Sequence, residues 1–210
     1  MEDLNFNNEQ VRESYALGVD VAHSIGNLGL PLNKDAFILG VQDVVTGNGL
    51  EITVEEIRET LASVQRKVQE RQQQAVEQMA NQNVEQGTQF LAENAKKEGV
   101  FTTESGLQYR IVRLGEGEKP TRESTVEVHY EGKLLNGQVF DSSIQRGQKI
   151  TFPLAGVIAG WTEGLQLMPV GSRFEFYIPS ALAYGTNGAP PAIGPNATLI
   201  FDVELFAIQA

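Results

Sequence analysis

Tyr130, Phe140, Trp161, Tyr184 and Phe201 come from five separate segments of the chain, and one carboxylate, Asp141, and one guanidinium, Arg146, accompany them. No cysteine exists to act as a thiol, and no cluster of metal-ligating residues or nucleophile–base pair stands beside this set. Rings of this kind line a site that holds an apolar group, and such a site works by shape and by excluding water. His129 sits between Glu127 and Glu131 on the outward parity of its strand, so it reads as a solvated residue and not as a base.

The elements that position these residues follow from hydrophobic periodicity. Val126, Val128 and Tyr130 alternate with Glu127, His129 and Glu131. Phe174, Phe176 and Ile178 alternate with Arg173, Glu175 and Tyr177, and Leu199, Phe201, Val203 and Leu205 with Ile200, Asp202, Glu204 and Phe206. Period two predicts strands, with an earlier one through Leu107, Tyr109 and Ile111. Leu135-Asn136-Gly137-Gln138 predicts a hairpin turn. Ala159 to Leu167 predicts one short helix. An antiparallel sheet wrapped on a short helix is an α+β domain.

Before Gly99 the pattern is helical. The first helix is expected from about Asn8 to Leu28. A second, capped by Asn33, carries Phe37, Ile38, Val41, Val44 and Val45 and stops at Gly47-Asn48-Gly49. The third runs from Thr53 to Glu98, opened by the capping box Thr53-Val54-Glu55-Glu56. Val54, Ile57, Leu61, Val64 and Val68 form a heptad seam. Glu70 to Gln74 interrupt it, and Ala75, Met79, Phe90 and Leu91 restore only a weak stripe, so the middle is expected to be solvated. Two short helices make a thin core alone, and a second copy would cover their apolar faces. The boundaries expected are 1–52 for a helical dimerisation domain, 53–98 for a long connecting helix whose first part joins the interface, and 99–210 for the β domain.

Bulk composition narrows the function. The net charge of −11 argues against nucleic acid as a partner. No apolar run approaches a membrane span. The polar, acidic opening lacks the pattern of a secretory signal, so a cytoplasmic location is expected, or a periplasmic or outer-surface one for a mature form without its signal.

Val128-His129-Tyr130-Glu131-Gly132, Phe140-Asp141-Ser142-Ser143, Val157-Ile158-Ala159-Gly160-Trp161 and Ala183-Tyr184-Gly185, in this order, resemble the FKBP family of peptidyl-prolyl cis–trans isomerases from about Gly106 to Ile208. The helical half, the long helix and the motifs Ser105 to Tyr109 and Leu167 to Gly171 resemble the bacterial subgroup of macrophage infectivity potentiator proteins and FklB-type isomerases. The resemblance implies that Tyr130, Phe140, Asp141, Trp161, Tyr184 and Phe201 carry catalysis. It implies substrate contacts from Arg146, Ile150, Val157, Ile158, Leu182, Ala189 and Ile193. Within that reading Arg146 steadies Asp141 and Tyr130, the Val157-Ile158 turn offers a backbone amide, and the Tyr184 hydroxyl donates to a ligand carbonyl. Ile150 and Leu182 stand where aromatics are frequent in the family.

The implied activity is rotation about X–Pro bonds in peptides and folding proteins, without a cofactor, with dimer-dependent assistance to folding. The expected partners are proline-containing peptides, unfolded proteins, macrolide inhibitors of the FK506 or rapamycin type, and a second copy of the chain. The competing reading is a non-catalytic chaperone or adaptor that holds proline-containing segments.

Overall fold

The computed structural model describes residues 4–209 and divides between Gln74 and Ala75 into two compact units. In the first, helix α1 spans Glu9–Gly26 and α2 spans Lys34–Thr46. The Asn8 side chain accepts from the backbone N–H groups of Gln10 and Val11, and that of Asn33 accepts from Ala36. Each satisfies donors that the first helical turn leaves without partners. Gly47, at φ 72°, closes α2 in the left-handed conformation that costs glycine no Cβ clash. The expected capping box also forms: the Glu56 amide donates to the Thr53 hydroxyl oxygen at 3.2 Å, and the Thr53 amide donates to the Glu56 carboxylate at 2.8 Å. Helix α3 then runs Val54–Asn94 and not to Glu98. The chain leaves the helix through a turn in which Gly99, at φ 78°, is left-handed and the Val100 amide donates to the Lys97 carbonyl at 3.2 Å.

The first unit buries almost nothing of its own. No residue of α1 is buried, and in α2 only Asp43 is. Tyr15, Leu17, Val21, Ile38, Val45 and Leu61 are exposed.

The second unit is a seven-stranded antiparallel sheet. Its strands are β1 (Val100–Thr102), β2 (Gln108–Arg113), β3 (Thr125–Leu134), β4 (Val139–Ser142), β5 (Ile150–Pro153), β6 (Arg173–Ile178) and β7 (Leu199–Gln209). The order is β1-β2-β6-β7-β3-β4, and β5 shares the outer edge of β3 with β4. Strands β3 and β7 pair along their length, with Tyr130 opposite Val203 and Gly132 opposite Phe201. The predicted alternation of β3, β6 and β7 is what fills the core: Val126, Val128, Phe174, Phe176, Ile178, Val203 and Leu205 are buried. Helix α4 (Ala159–Leu165) lies on that face and contributes buried Trp161 and Leu165. It comes close because Gly164 leaves room for the Phe176 ring, 2.6 Å from where a Cβ would stand, and Gly160 does the same for Ile178.

The sequence expectation placed the β domain from residue 99, whereas the compact unit begins at Ala75 and includes the second part of α3. Gly87 and Asn94 of α3 are buried within it. Asn94 Nδ2 donates to the Gln108 side-chain oxygen at 3.0 Å, Gln108 Nε2 donates to the Leu91 carbonyl at 2.9 Å, and the Phe90 ring lies 5.8 Å from that of Tyr177. Among the described residues, no helix is long and apolar enough to cross a membrane.

Candidate active site

Strand β3 supplies Tyr130, β7 supplies Phe201, β4 supplies Phe140 and Asp141, β5 supplies Ile150 and Phe152, the turn into α4 supplies Gly156, Val157 and Ile158, and α4 itself supplies Trp161. With Tyr184 they enclose a pocket of about 360 Å³. Trp161 forms its centre. Its ring lies 5.0 Å from Tyr130 and 5.0 Å from Phe201, both near perpendicular, and 5.3 Å from Phe152. Phe140 meets Phe201 edge to face at 5.5 Å. Such edge-to-face contacts hold rings in one arrangement as well as burying them. Gly132 makes the arrangement possible, because a Cβ there would fall 2.6 Å from both the Phe140 and the Phe201 rings.

One polar corner interrupts the apolar wall. The Tyr130 hydroxyl donates to one Asp141 carboxylate oxygen, and Arg146 donates to the other. Arg146 also reaches the Tyr130 hydroxyl oxygen at 3.2 Å. Burial alone would raise the Asp141 pKa, but hydrogen bonds from Tyr130 and Arg146 outweigh it and hold the carboxyl below its ordinary value. Burial and the Asp141 carboxylate push the Tyr130 phenol up. Tyr184 is 41% exposed, and among the described residues its hydroxyl has no partner; the Ile158 N–H has none either. Both residues line the pocket.

Residues 116–206 match the family described as FKBP-type peptidyl-prolyl cis-trans isomerase, and residues 10–111 match the domain amino terminal to FKBP-type peptidyl-prolyl isomerase. The chain is 43% identical to the FKBP-type 22 kDa peptidyl-prolyl cis-trans isomerase of Escherichia coli, over 97% of each chain. The chain belongs to the FKBP-type peptidyl-prolyl cis–trans isomerase family. It is 46% identical to FkpA of Aeromonas hydrophila over 94% of this chain and 76% of that one, and 39% identical to the outer membrane protein MIP of Legionella longbeachae over 93% and 84%. The crystal structure of FkpA from Escherichia coli superposes with a TM-score of 0.82 at 39% identity, covering 98% of this chain and 99% of that one. It is an isomerase, and the fold is the expected one: N-terminal helices followed by an antiparallel sheet with a short helix.

Of the residues expected at an isomerase site, nine line the pocket: Tyr130, Phe140, Asp141, Ile150, Val157, Ile158, Trp161, Tyr184 and Phe201. Arg146 stands behind it, bonded to Asp141 and Tyr130. Leu182, Ala189 and Ile193 do not reach the wall. Leu182 and Ala189 pack on the core, and Ile193 is buried and paired with Ala189 in a small bridge. Leu182 ends a single 3-10 turn, Ser180–Leu182, and Ala189 and Ile193 lie on a loop without periodicity, so nothing local to the sequence fixes their direction. Phe152 and Gly156 were missed, although Phe152 follows from Ile150 by strand alternation.

His129 is also corrected. It is half-buried, its Nδ1 lies 2.9 Å from the Ser143 hydroxyl, and its ring stands edge-on to Phe206 at 5.7 Å. A bulge in the β3–β7 pairing skips Phe206, which covers this side of the sheet. Ser143 in turn accepts from the Tyr130 amide at 2.8 Å. His129 therefore supports the strand, and it does not face the pocket lining.

The two shifted groups set a pH expectation. Asp141 loses its charge only below the ordinary carboxylate range, and Tyr130 loses its proton only above the ordinary phenol range. Both states are constant between them. Isomerisation of a short proline peptide should vary less than about twofold from pH 6 to pH 8, whereas a bell centred on a histidine-like pKa would show a proton transfer in the rate-limiting step.

Proposed function

We propose that the pocket accelerates X–Pro rotation by desolvation and shape, and that two chains joined through their N-terminal helices use paired pockets to assist folding. Rotation about the amide faces a barrier of ~18–20 kcal/mol, set by resonance that separates charge between oxygen and nitrogen. A dry aromatic pocket disfavours that separation and so favours the twisted amide. The pyrrolidine ring sits against Trp161 among Tyr130, Phe140 and Phe201. The carbonyls beside it accept from the Ile158 amide and the Tyr184 hydroxyl. Asp141, locked by Arg146, keeps the Tyr130 ring in place. Binding the twisted state better than either planar isomer is sufficient for catalysis, and a ~10⁶-fold acceleration asks for about 8 kcal/mol. The observation that carries this reading is the enclosure of one pocket by rings from six segments, with two donors of its lining free of intramolecular partners among the described residues. The same pocket suits the cyclic amides of FK506-type macrolides.

The dimer reading rests on burial. An isolated unit in which α1 buries no residue cannot offset the entropy of ordering its chain. The exposed faces carrying Tyr15, Leu17, Ile38 and Leu61 call for apolar cover, and a second copy supplies it by symmetry.

Two measurements test the proposal. A proline-isomer assay should show Tyr130→Phe and Phe201→Ala losing activity on a short peptide while the fold persists. Sedimentation of the full chain at micromolar concentration should give twice the chain mass. A monomer would overturn the dimer reading and leave the pocket reading intact.

A further inference from the structure

Within the second unit, α3 lies against the segment that connects the Tyr184 loop to β7. Three residues at four-residue steps make the contact. The Met79 sulfur lies 2.7 Å from where a Cβ on Gly194 would stand. Asn83 Nδ2 donates to the Pro195 carbonyl at 2.7 Å. Gly87 is buried against Thr198 with no room for a side chain. Steps of four put all three on one face of the helix.

The hydrogen bonds continue from there to the pocket. Asn196, directly after Pro195, has a left-handed backbone at φ 56° and donates its N–H to the Gly185 carbonyl at 2.8 Å. The Tyr184 carbonyl accepts from Gly188 at 3.2 Å, and Ala189 and Ile193 exchange bonds of 2.9 and 3.0 Å. The loop is thus tied to itself. Its tether to α3 is the Asn83 amide, and among the described residues the Pro195 carbonyl has no other donor.

We infer that Asn83 is a positioning residue of the isomerase site: by holding the Pro195 carbonyl it fixes the loop that presents Tyr184 to the pocket. The inference rests on the reading that Tyr184 contacts the substrate. It makes α3 a part of the catalytic apparatus as well as a connection between units. It also accounts for a polar side chain half-buried on a helix face that hydropathy alone leaves blank.

The test uses the full chain. Asn83→Asp keeps the shape, removes the donor and sets a carboxylate against a carbonyl oxygen. At pH 7 it should lower kcat/KM on a short proline peptide by about fivefold or more, the cost of a lost partner plus repulsion. The loss should shrink as pH falls toward about 5, because the protonated carboxyl again donates to Pro195, while the parent chain stays flat. Tyr184→Phe alone tests the pocket reading: if it is silent, Tyr184 does not serve the substrate and that reading is at fault. If Tyr184→Phe is active in lowering the rate, the double variant decides the inference. Asn83→Asp added to Tyr184→Phe should cost less than about twofold, because coupled residues are not additive. Independent, multiplying losses, or a deficit at pH 7 that does not recover on acidification, would overturn the positioning role. So would an Asn83→Asp chain as active as the parent. Melting temperature measured on each variant separates unfolding from mispositioning, and Asn83→Ala, which has no charge, should show the deficit without the recovery.

Discussion

Replacing Gly132 by alanine should remove most of the isomerase activity while the sheet still forms. A Cβ at this position meets Phe140 and Phe201 at 2.6 Å each, and both rings belong to the pocket wall. Gly132 is paired with Phe201 on β7 and with Asp141 on β4, so the backbone cannot retreat without breaking the ladder on both sides. The rings must yield instead. Overpacking of this kind costs about 1–3 kcal/mol. If the strain is felt by the bound, twisted substrate, kcat/KM on a short proline peptide falls about tenfold to a hundredfold. Emission from Trp161, the chain's only tryptophan, should change with it, since Phe201 contacts that ring at 5.0 Å. Gly49→Ala provides the control, because nothing lies within 4 Å of its added methyl. A Gly132→Ala chain with parental kcat/KM would show that the pocket tolerates rearrangement of its aromatic wall and that shape is not the source of catalysis.

The second large effect concerns where the chain is cut. A fragment beginning at Ala75 should keep most activity on a short peptide, and one beginning near residue 99 should be destabilised and less active. The longer fragment retains Asn83, Gly87, Phe90 and Asn94. The shorter one leaves buried Gln108 without its Asn94 and Leu91 partners, and uncovers Tyr177 where Phe90 lay. An orphaned buried amide costs about 1–3 kcal/mol and the lost apolar burial a similar amount. For a domain of this size that corresponds to a fall of at least about 10 °C in Tm. Both fragments should lose the advantage of the full chain in refolding a protein limited by proline isomerisation. In the proposed dimer, with two pockets, the second contact is intramolecular, at an effective concentration in the millimolar range, whereas a short peptide occupies one pocket only. Calorimetry and the two rate assays on three chains decide the matter. Equal Tm values for the two fragments would remove α3 from the domain. Undiminished refolding by the fragment from Ala75 would remove the N-terminal helices from client handling.

Much of the site was legible along the chain because it is built from strands and one short helix. Period two placed Tyr130 and Phe201 on inward faces, and the order of the motifs carried Phe140, Asp141, Trp161 and Tyr184. Helix starts were legible for a similar reason: Asn8, Asn33 and Thr53 with Glu56 cap through atoms only a few residues away. The β3–β4 hairpin at Gly137, with φ 85°, belongs with them.

What escaped depends on atoms distant in sequence. The second part of α3 docks through Asn83, Gly87 and Asn94 beside Met79 and Phe90, and the first three are not hydrophobic, so an apolar-stripe reading sees only a weak face there. Its polar contacts are the close approach of Gly87 to Thr198 and three amide hydrogen bonds, Asn83 to Pro195, Asn94 to Gln108 and Gln108 to Leu91, whose partners are all distant in sequence. His129 has an outward parity, but the bulge at Phe206 and the hydroxyl of Ser143 cover it. Ala189 and Ile193 lie on a loop whose ends are tied by Asn196 bonding to Gly185 and by Asn83 bonding to Pro195, and Leu182 sits in the single 3-10 turn before it. By itself, then, the sequence determined the elements and their caps, since those follow from local sterics and burial period, and its motif order supplied five of the six rings that line the pocket. The tertiary structure alone decided that α3 belongs with the sheet and how the Tyr184 loop is held, since those follow from contacts between segments that no local pattern encodes.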